Sequence, residues 1–180
     1  MYKDLLLDND EYEVFVGVFP KYNHMLKKDF MVMFNKAMEI TSTLISDEFF
    51  TPNTESYLTA ISKGSQLVTY VKNKTNMSIE AILVFSIQPV PYNLDTTPII
   101  QCNTVYGEES KSVDICFSAL GEYARLNNIP RVIFTTPRKG FLKRLSDEYA
   151  SNGTLYRMLL NQSFYNTEMY NDFKQEFNLK

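Results

Sequence analysis

The sequence predicts a single α/β domain with a mixed, mostly antiparallel sheet and helices on both of its faces. First, the chain has 180 residues, 44% of them hydrophobic and 22% charged, which suits one globular domain with a substantial core. Second, segments rich in β-branched and aromatic residues alternate with segments of helical period. Third, a hairpin and a strand–helix–strand connection both occur, so antiparallel and parallel neighbours are expected in one sheet.

The N-terminal third predicts one strand followed by two helices. The stretch from Tyr12 to Pro20 is β-branched and aromatic and stops at a proline, which is typical of a strand. Asp29 is a candidate N-cap for a helix, and Ser56 to Lys63 predicts a second helix closed by Gly64. The first helix has apolar residues at helical spacing: Phe30, Met33, Phe34, Ala37, Ile40, Thr41 and Leu44.

A hairpin and a further strand follow. Gln66 to Lys72 and Ile79 to Gln88 predict two strands joined by a turn over Asn73 to Ser78. Prolines then mark an irregular connection that leads into a strand from Ile99 to Tyr106. These elements form the antiparallel half of the predicted sheet.

The second half of the chain predicts alternating helices and strands. Val113 to Asn128 has the clearest helical stripe, and it stops before Pro130 because proline cannot continue a helix. Arg131 to Thr136 predicts a short buried strand, Gly140 to Ser151 a helix, and Thr154 to Gln162 a strand. A strand–helix–strand unit of this kind places its two strands parallel.

Composition and charge exclude several classes of function. The net charge of −3 provides no broad attraction to nucleic acid or to an anionic membrane. The longest apolar run, Ala81 to Ile87, is too short to cross a bilayer, and no secretory signal is evident at the N-terminus. We therefore expect a cytoplasmic protein, with Cys102 and Cys116 reduced, or a virion protein if the chain is of phage origin. A bias toward Asn, Lys, Ile and Tyr is typical of AT-rich genomes, such as those of some phages and low-GC bacteria.

Histidine chemistry is not expected either. His24 is the only histidine, so a histidine-rich metal site is impossible, and no Cys-x-x-Cys pair is present. No Gly-x-Ser-x-Gly pattern accompanies His24, which argues against a serine triad. Four basic residues could meet a nucleotide phosphate or form a solvated helix face: Arg138, Lys139, Lys143 and Arg144.

Two stretches carry a resemblance to a known family. The stretch from Glu122 to Phe134, EYARLNNIPRVIF, and the stretch from Phe141 to Leu145, FLKRL, are similar to motifs of the GNAT-type N-acyltransferase superfamily. The order of elements from Gln66 to Gln162 also resembles that family. The resemblance implies a GNAT-like fold, acetyl-CoA as acyl donor, and direct attack of an amine on the thioester.

The resemblance places the pyrophosphate of CoA in the loop after the strand Ile99 to Tyr106. This cofactor loop, Gly107 to Ser112, implies binding by Gly107, Ser110, Lys111 and Ser112, although it lacks the family's run of glycines. Acids oppose an anion there: at about 7 Å and a dielectric constant of 20–80, each repels a unit charge by roughly 0.6–2.4 kcal/mol. Binding thus requires Glu108 and Glu109 to face away and Lys111 to face the site. Otherwise Ser112 caps the helix and nothing binds.

The residues for acyl transfer are less clear from sequence. Leu142 occupies the position of the tyrosine that often protonates the leaving thiolate in the family. Tyr149 and Tyr156 lie nearby in sequence and are candidates for that role. Glu80, on the second strand of the hairpin, is a candidate base for the amine.

The C-terminal residues 164–180 form a separate feature beside a domain of residues 1–163. Aromatic and apolar residues recur there at every fourth position, which predicts an amphipathic helix: Tyr165, Met169, Phe173 and Phe177. Such a helix either docks on its own domain or binds a protein partner or a second copy of the chain. The sequence therefore supports two functions: an acyl-CoA-dependent N-acyltransferase, or a non-catalytic structural or interaction protein with the same fold.

Overall fold

The structure, a computed structural model, describes residues 2–20, 24–44, 54–89, 98–135, 149–152 and 155–180. Eight strands are present in these ranges: β1 Leu5–Asp8, β2 Tyr12–Gly17, β3 Leu67–Asn73, β4 Ile79–Gln88, β5 Ile99–Gly107, β6 Arg131–Thr135, β7 Tyr149–Asn152 and β8 Leu155–Leu159. The helices are α1 His24–Leu44, α2 Thr54–Ser62, α3 Ser110–Leu126, α4 Gln162–Tyr165 and α5 Glu168–Glu176.

The eight strands form one sheet in the order β1-β2-β3-β4-β5-β6-β8-β7. Strands β5 and β6 are the one parallel pair among the described strands, because α3 carries the chain across one face of the sheet between them. The other described pairs are antiparallel. The predicted mixed, mostly antiparallel sheet is thus confirmed.

Each face of the sheet carries its own core. On one face, α1 packs Phe30 and Phe34 against Ile82 and Val84 of β4. We call this the α1 face. On the opposite face, α3 packs against the other side of the same strands through the cluster that contains Leu83, Phe85, Leu120 and Tyr123. We call this the α3 face. Strand β4 is therefore buried on both sides, as its continuous apolar run predicts.

Some predicted boundaries differ from the structure. Helix α1 begins at His24, so Asp29 lies inside the helix and does not cap it. Strand β1 was not predicted, because four residues at a sheet edge give too short a pattern. Residues 140–148 of the predicted helix from Gly140 to Ser151 lie outside the described residues, whereas Tyr149–Asn152 is a strand. The predicted role of Gly64 is confirmed by its φ of +75° directly after α2.

The C-terminal aromatic stripe is buried within its own domain. Phe173 is 2% exposed and Phe177 is 7% exposed, and both belong to the core of the α3 face. Tyr165 and Met169 are partly buried against the same core. The structure thus has the helix docked on its own domain, and the assignment of these four side chains to partner binding remains a prediction. Residues on both sides of the predicted boundary after residue 163 belong to this core.

A glycine on α3 makes this docking possible. A Cβ atom at Gly121 would overlap the ring of Phe164, which is fully buried. The hydroxyl of Tyr165 donates a hydrogen bond to the carbonyl of Gly121 at 3.2 Å. Gly121 therefore allows the chain before α5 to approach the α3 backbone closely.

One buried carboxylate also joins α3 to α5. Tyr170 donates a hydrogen bond to Glu122 Oε2 at 2.6 Å, and Arg125 donates to both oxygens of the same carboxylate. Burial raises the pKa of Glu122, but the hydrogen bonds from Arg125 and Tyr170 outweigh this and leave it below its ordinary value. The ionised carboxylate is therefore the form that fits the interface.

Among the described helices, none combines the length and apolar character that crossing a bilayer requires.

Candidate functional site

The described pairing between the parallel strands β5 and β6 covers only the first part of β5. Ile100 to Cys102 pair with Val132 to Phe134, whereas β5 runs on to Gly107 beside β4 alone among the described strands. The peptide groups of Asn103 to Gly107 on the β6 side are thus not used in a described strand pair. This part of β5 lies toward the carboxyl ends of two parallel strands, where ligands commonly bind in α/β sheets.

A bulge in β5 follows the last described pair between β5 and β6. Val84 lies opposite Thr104 and Phe85 lies opposite Cys102, so Asn103 is an extra residue in β5. Its side chain donates a hydrogen bond to Gln66 Oε1 at 2.7 Å. Bulges interrupt the regular ladder and redirect side chains, and they are common beside functional sites. No pattern in the sequence indicated Asn103 or Gln66 as site residues, because their proximity depends on strand register.

The first turn of α3 lies directly after β5 and has free amide groups. Helix geometry leaves the amides of Ser110, Lys111 and Ser112 without an intrahelical acceptor. Glu109 is the N-cap residue, and its side chain makes no capping hydrogen bond. The expectation that Ser112 caps the helix is wrong, since Ser112 is the third helical residue. The helix end can therefore still accept an anion.

Gly107 serves packing at this junction. A Cβ atom there would lie 2.5 Å from Val113 Cγ2 and 3.0 Å from Ala81 Cβ. The missing side chain thus lets the first turn of α3 lie close to β4. Space for a cofactor is not what this glycine provides.

The side chain of Lys111 is engaged on the α3 face. Its ammonium group lies 3.0 Å from Glu176 Oε1 and 3.2 Å from Glu11 Oε2, and it sits over the ring of Tyr12. Partial burial lowers the pKa of Lys111, but its hydrogen bonds to Glu176 and Glu11 outweigh this and leave the pKa raised. The condition that Lys111 faces the site is therefore not met in this structure.

The two loop glutamates are placed differently. Glu108 makes an ion pair of 2.6 Å with Lys36 of α1, so its charge is locally balanced. Glu109 is exposed. The electrostatic opposition to an anion is thus smaller than two unpaired acids would cause, and the main-chain amides are the principal attraction.

Glu80 contacts the cofactor loop directly. Its Oε2 accepts a hydrogen bond from Ser112 Oγ at 3.0 Å, and its Oε1 accepts one from Asn73 Nδ2 at 2.8 Å. Its main-chain oxygen accepts a hydrogen bond from the amide of Glu108 at 3.1 Å. Of the predicted site residues, Glu80 and Ser112 are therefore in contact, although they are 32 positions apart.

The candidate tyrosines lie on the far side of β6. Tyr156 of β8 pairs with Phe134 of β6, and Tyr149 of β7 pairs with Met158. Their assignment to acid chemistry remains a prediction. Leu142 and the basic residues Arg138, Lys139, Lys143 and Arg144 lie outside the described residues.

Other chemistries find little support in the described part of the chain. No group of three or more His, Cys, Asp and Glu residues there has a geometry that could hold a metal ion. Burial raises the pKa of the thiols of Cys102 and Cys116, so neither is a ready nucleophile.

Comparison with known proteins supports the fold. No protein-family model and no curated protein matches the sequence. Among solved structures, Tetrahymena GCN5 matches with a TM-score of 0.56 and 11% identity, over 88% of this chain and 96% of that chain. A GCN5-related N-acetyltransferase from Brucella melitensis matches with a TM-score of 0.55 and 11% identity, over 95% of this chain and 84% of that chain.

An aminoglycoside acetyltransferase from an uncultured soil metagenomic sample is also similar. Its TM-score is 0.50 at 9% identity, over 73% of this chain and 82% of that chain. Identities this low establish the architecture alone. The chain has the GNAT-type N-acyltransferase fold.

Proposed function

We propose that this protein is an acyl-CoA-dependent N-acyltransferase, with an amine as acceptor. The observation that carries the proposal is the first turn of α3, which has no side-chain cap and directly follows a part of β5 that pairs with β4 alone among the described strands. An extended ligand with amide groups can pair with the other side of this part of β5, and its phosphates can accept from the helix amides. Acyl-CoA has both parts in that order, with acetyl-CoA the simplest donor.

The GNAT-type neighbours support the proposal through the shared fold. The described basic side chains at the loop are already paired, Lys36 with Glu108 and Lys111 with two other acids, so we expect main-chain amides to provide most of the phosphate contacts. Acyl transfer then requires the amine nitrogen to attack the thioester carbonyl while a base accepts its proton. Glu80, Tyr149 and Tyr156 are the candidates for proton transfer.

Thermal unfolding with CoA and with acetyl-CoA tests the proposal. A ligand at about 100 times its dissociation constant adds roughly 2.7 kcal/mol to the free energy of unfolding. We expect Ser110→Glu to abolish this gain, because its carboxylate competes with phosphate for the same amides. The variant itself should remain as stable as the wild type, since an acid in the first helical turn is favourable.

Two controls isolate the loop. Ser110→Ala removes the hydroxyl but leaves the amides, so it should bind CoA normally. Leu126→Glu adds the same charge at the other end of α3, about 24 Å away at 1.5 Å per residue, and should also bind normally. Absence of any shift at millimolar CoA in the wild type would sink the enzyme proposal.

The second candidate is a non-catalytic protein with the same fold, acting as a structural or interaction protein, for example in a phage particle. It is favoured by one observation: Gly107, Lys111 and Glu80 are all engaged in contacts within the chain. This candidate predicts no response to CoA and concentration-dependent association in sedimentation. A monomer that binds CoA would contradict it.

A further inference from the structure

We propose that Glu80 is a positioning residue, which holds the first turn of α3 in the geometry that binds phosphate. This inference rests on the proposed function and replaces the role of Glu80 as the base. The argument depends on its place in the sheet, its hydrogen bonds and its charge.

Glu80 occupies an irregular position in β4. Lys72 lies opposite Ile79 and Val71 lies opposite Ala81, so Glu80 is an extra residue in this strand. A bulge of this kind frees a residue from the regular pairing of the ladder. Here, both the main chain and the side chain of the extra residue turn toward the cofactor loop.

Glu80 fastens the loop at two points. Its main-chain oxygen accepts from the amide of Glu108, just before α3 begins. Its carboxylate accepts from Ser112 Oγ, at the third residue of α3, where the serine is fully buried. The free amides of Ser110 and Lys111 lie between these two points in sequence. One residue thus fixes both ends of the segment that would meet the phosphates.

The carboxylate is also held in place from behind. Asn73, the last residue of β3, donates to Glu80 Oε1, and its own Oδ1 accepts from the amide of Thr75 in the hairpin turn. Both oxygens of Glu80 therefore accept hydrogen bonds from the protein. A general base must instead reach a proton of the substrate.

The negative charge of Glu80 is of no direct benefit to a phosphate. Like charges repel, so any positive effect of the residue on CoA binding must come from geometry. Two variants can therefore separate the effect of the charge of Glu80 on CoA binding from the effect of its geometry. Glu80→Gln keeps the side-chain shape and an oxygen acceptor but removes the charge, whereas Glu80→Ala removes all side-chain contacts.

The test measures the affinity for CoA and for inorganic pyrophosphate by calorimetry. We expect Glu80→Ala to bind about tenfold more weakly, as suits the loss of a hydrogen bond to a charged group. Glu80→Gln should stay within about threefold of the wild type. Ser112→Ala should weaken CoA binding as much as Glu80→Ala does. The double variant, Glu80→Ala with Ser112→Ala, should lose no more affinity than either single variant. Asp172→Ala, at an exposed acid of α5 outside the loop, is the control and should leave the affinity unchanged.

Hydrogen exchange of the peptide 107–117 provides a readout without ligand. We expect faster exchange in Glu80→Ala and in Ser112→Ala, and unchanged exchange in Glu80→Gln. Unchanged exchange and affinity in Glu80→Ala would overturn the inference. So would a Glu80→Gln variant that binds CoA normally but transfers acyl groups to an amine 100-fold more slowly, since that identifies a base. If the wild type binds no CoA, the proposed function fails, and exchange alone decides whether Glu80 holds the loop.

Discussion

The two ends of α3 are held in contrasting ways. At its C-terminal half, Gly121 and Tyr123 lie in a core that α4 and α5 complete with aromatic side chains. At its N-terminal end, Lys111 and Ser112 are held by hydrogen bonds and ion pairs, and the side chain of Lys111 is 49% exposed. Apolar burial is worth more than exposed ion pairs, which contribute about 0–1 kcal/mol.

This difference indicates which end of α3 contributes more to the stability of the fold. The aromatic end is stabilised by extensive apolar burial, whereas the geometry of the polar end depends on a few specific hydrogen bonds. Substitutions at the polar end should therefore change the geometry of the loop more than the overall stability. The predictions below test this contrast.

The largest expected effect is at the aromatic end. Phe173→Ala should lower the free energy of unfolding by about 3–5 kcal/mol, because it removes a fully buried ring from the core. Urea unfolding measures the change. Gln175→Ala, at an exposed position of the same helix, should change stability by less than about 0.5 kcal/mol. If Phe173→Ala left stability unchanged, α5 would not be docked as described.

The two glycines of α3 and its loop provide a direct comparison. Gly121→Ala should destabilise the protein by about 1–3 kcal/mol, because the new methyl group meets the buried ring of Phe164. Gly107→Ala should cost less, since Val113, the nearest side chain, is only partly buried and can turn away, and the contact of 3.0 Å with Ala81 Cβ requires a shift of only a few tenths of an ångström.

A compensating change separates overlap from other effects of the alanine. Phe164→Leu reduces the ring that Gly121→Ala would strike, so the double variant should lose less than the sum of the two single variants. If the two changes in free energy of unfolding were simply additive, overlap with Phe164 would not be the cause of the Gly121→Ala effect. A larger loss of stability for Gly107→Ala than for Gly121→Ala would contradict the predicted order of the two glycines.

The last effect, comparable in size to that of Gly121→Ala, concerns the buried carboxylate and depends on pH. The pKa of Glu122 is below its ordinary value of 4.5, so its contribution to stability is present above that pH and is lost as the pH falls through the folded-state pKa. Glu122→Gln should lower the free energy of unfolding by about 1–3 kcal/mol at pH 7. The difference in free energy of unfolding between this variant and the wild type should be smaller at pH 4.

The matched variant for this experiment is Glu168→Gln, which changes the same charge at an exposed position of α5. Its difference from the wild type should be small at both pH values. If Glu122→Gln lowered the free energy of unfolding equally at pH 7 and pH 4, the ionised form of Glu122 would not be the form that stabilises the fold.

Local patterns predicted most of the fold. The bounds of β4 match the predicted strand from Ile79 to Gln88, because a long apolar run bounded by turns is unambiguous. The two strands at the edges of the sheet were harder to predict from sequence. Strand β1 has only four residues, and Tyr149–Asn152 carries no alternation that distinguishes a strand from the end of a helix. The stripe of α5 predicted a helix with one apolar face, but periodicity does not say which surface that face contacts.

The candidate site was predictable in position but less so in contacts. The predicted strand–loop–helix order is present, with the predicted cofactor loop spanning the end of β5 and the first turn of α3. The partners of Lys111 could not be predicted, since Glu11 and Glu176 are distant in sequence and meet only when β2, α3 and α5 pack together. The bulges at Glu80 and Asn103 depend on strand register, which single residues do not encode.

The insertion of Phe164 beside Gly121 also has a consequence for synthesis. The α3 face of the sheet stays open on the growing chain until residues 164–177 have been made, because these residues close its core. A ribosome that stops before them releases a chain with an exposed apolar surface around Ala119 and Leu120. Completion of this core thus depends on the synthesis of residues 164–177, and chains that stop before them are prone to aggregation or degradation.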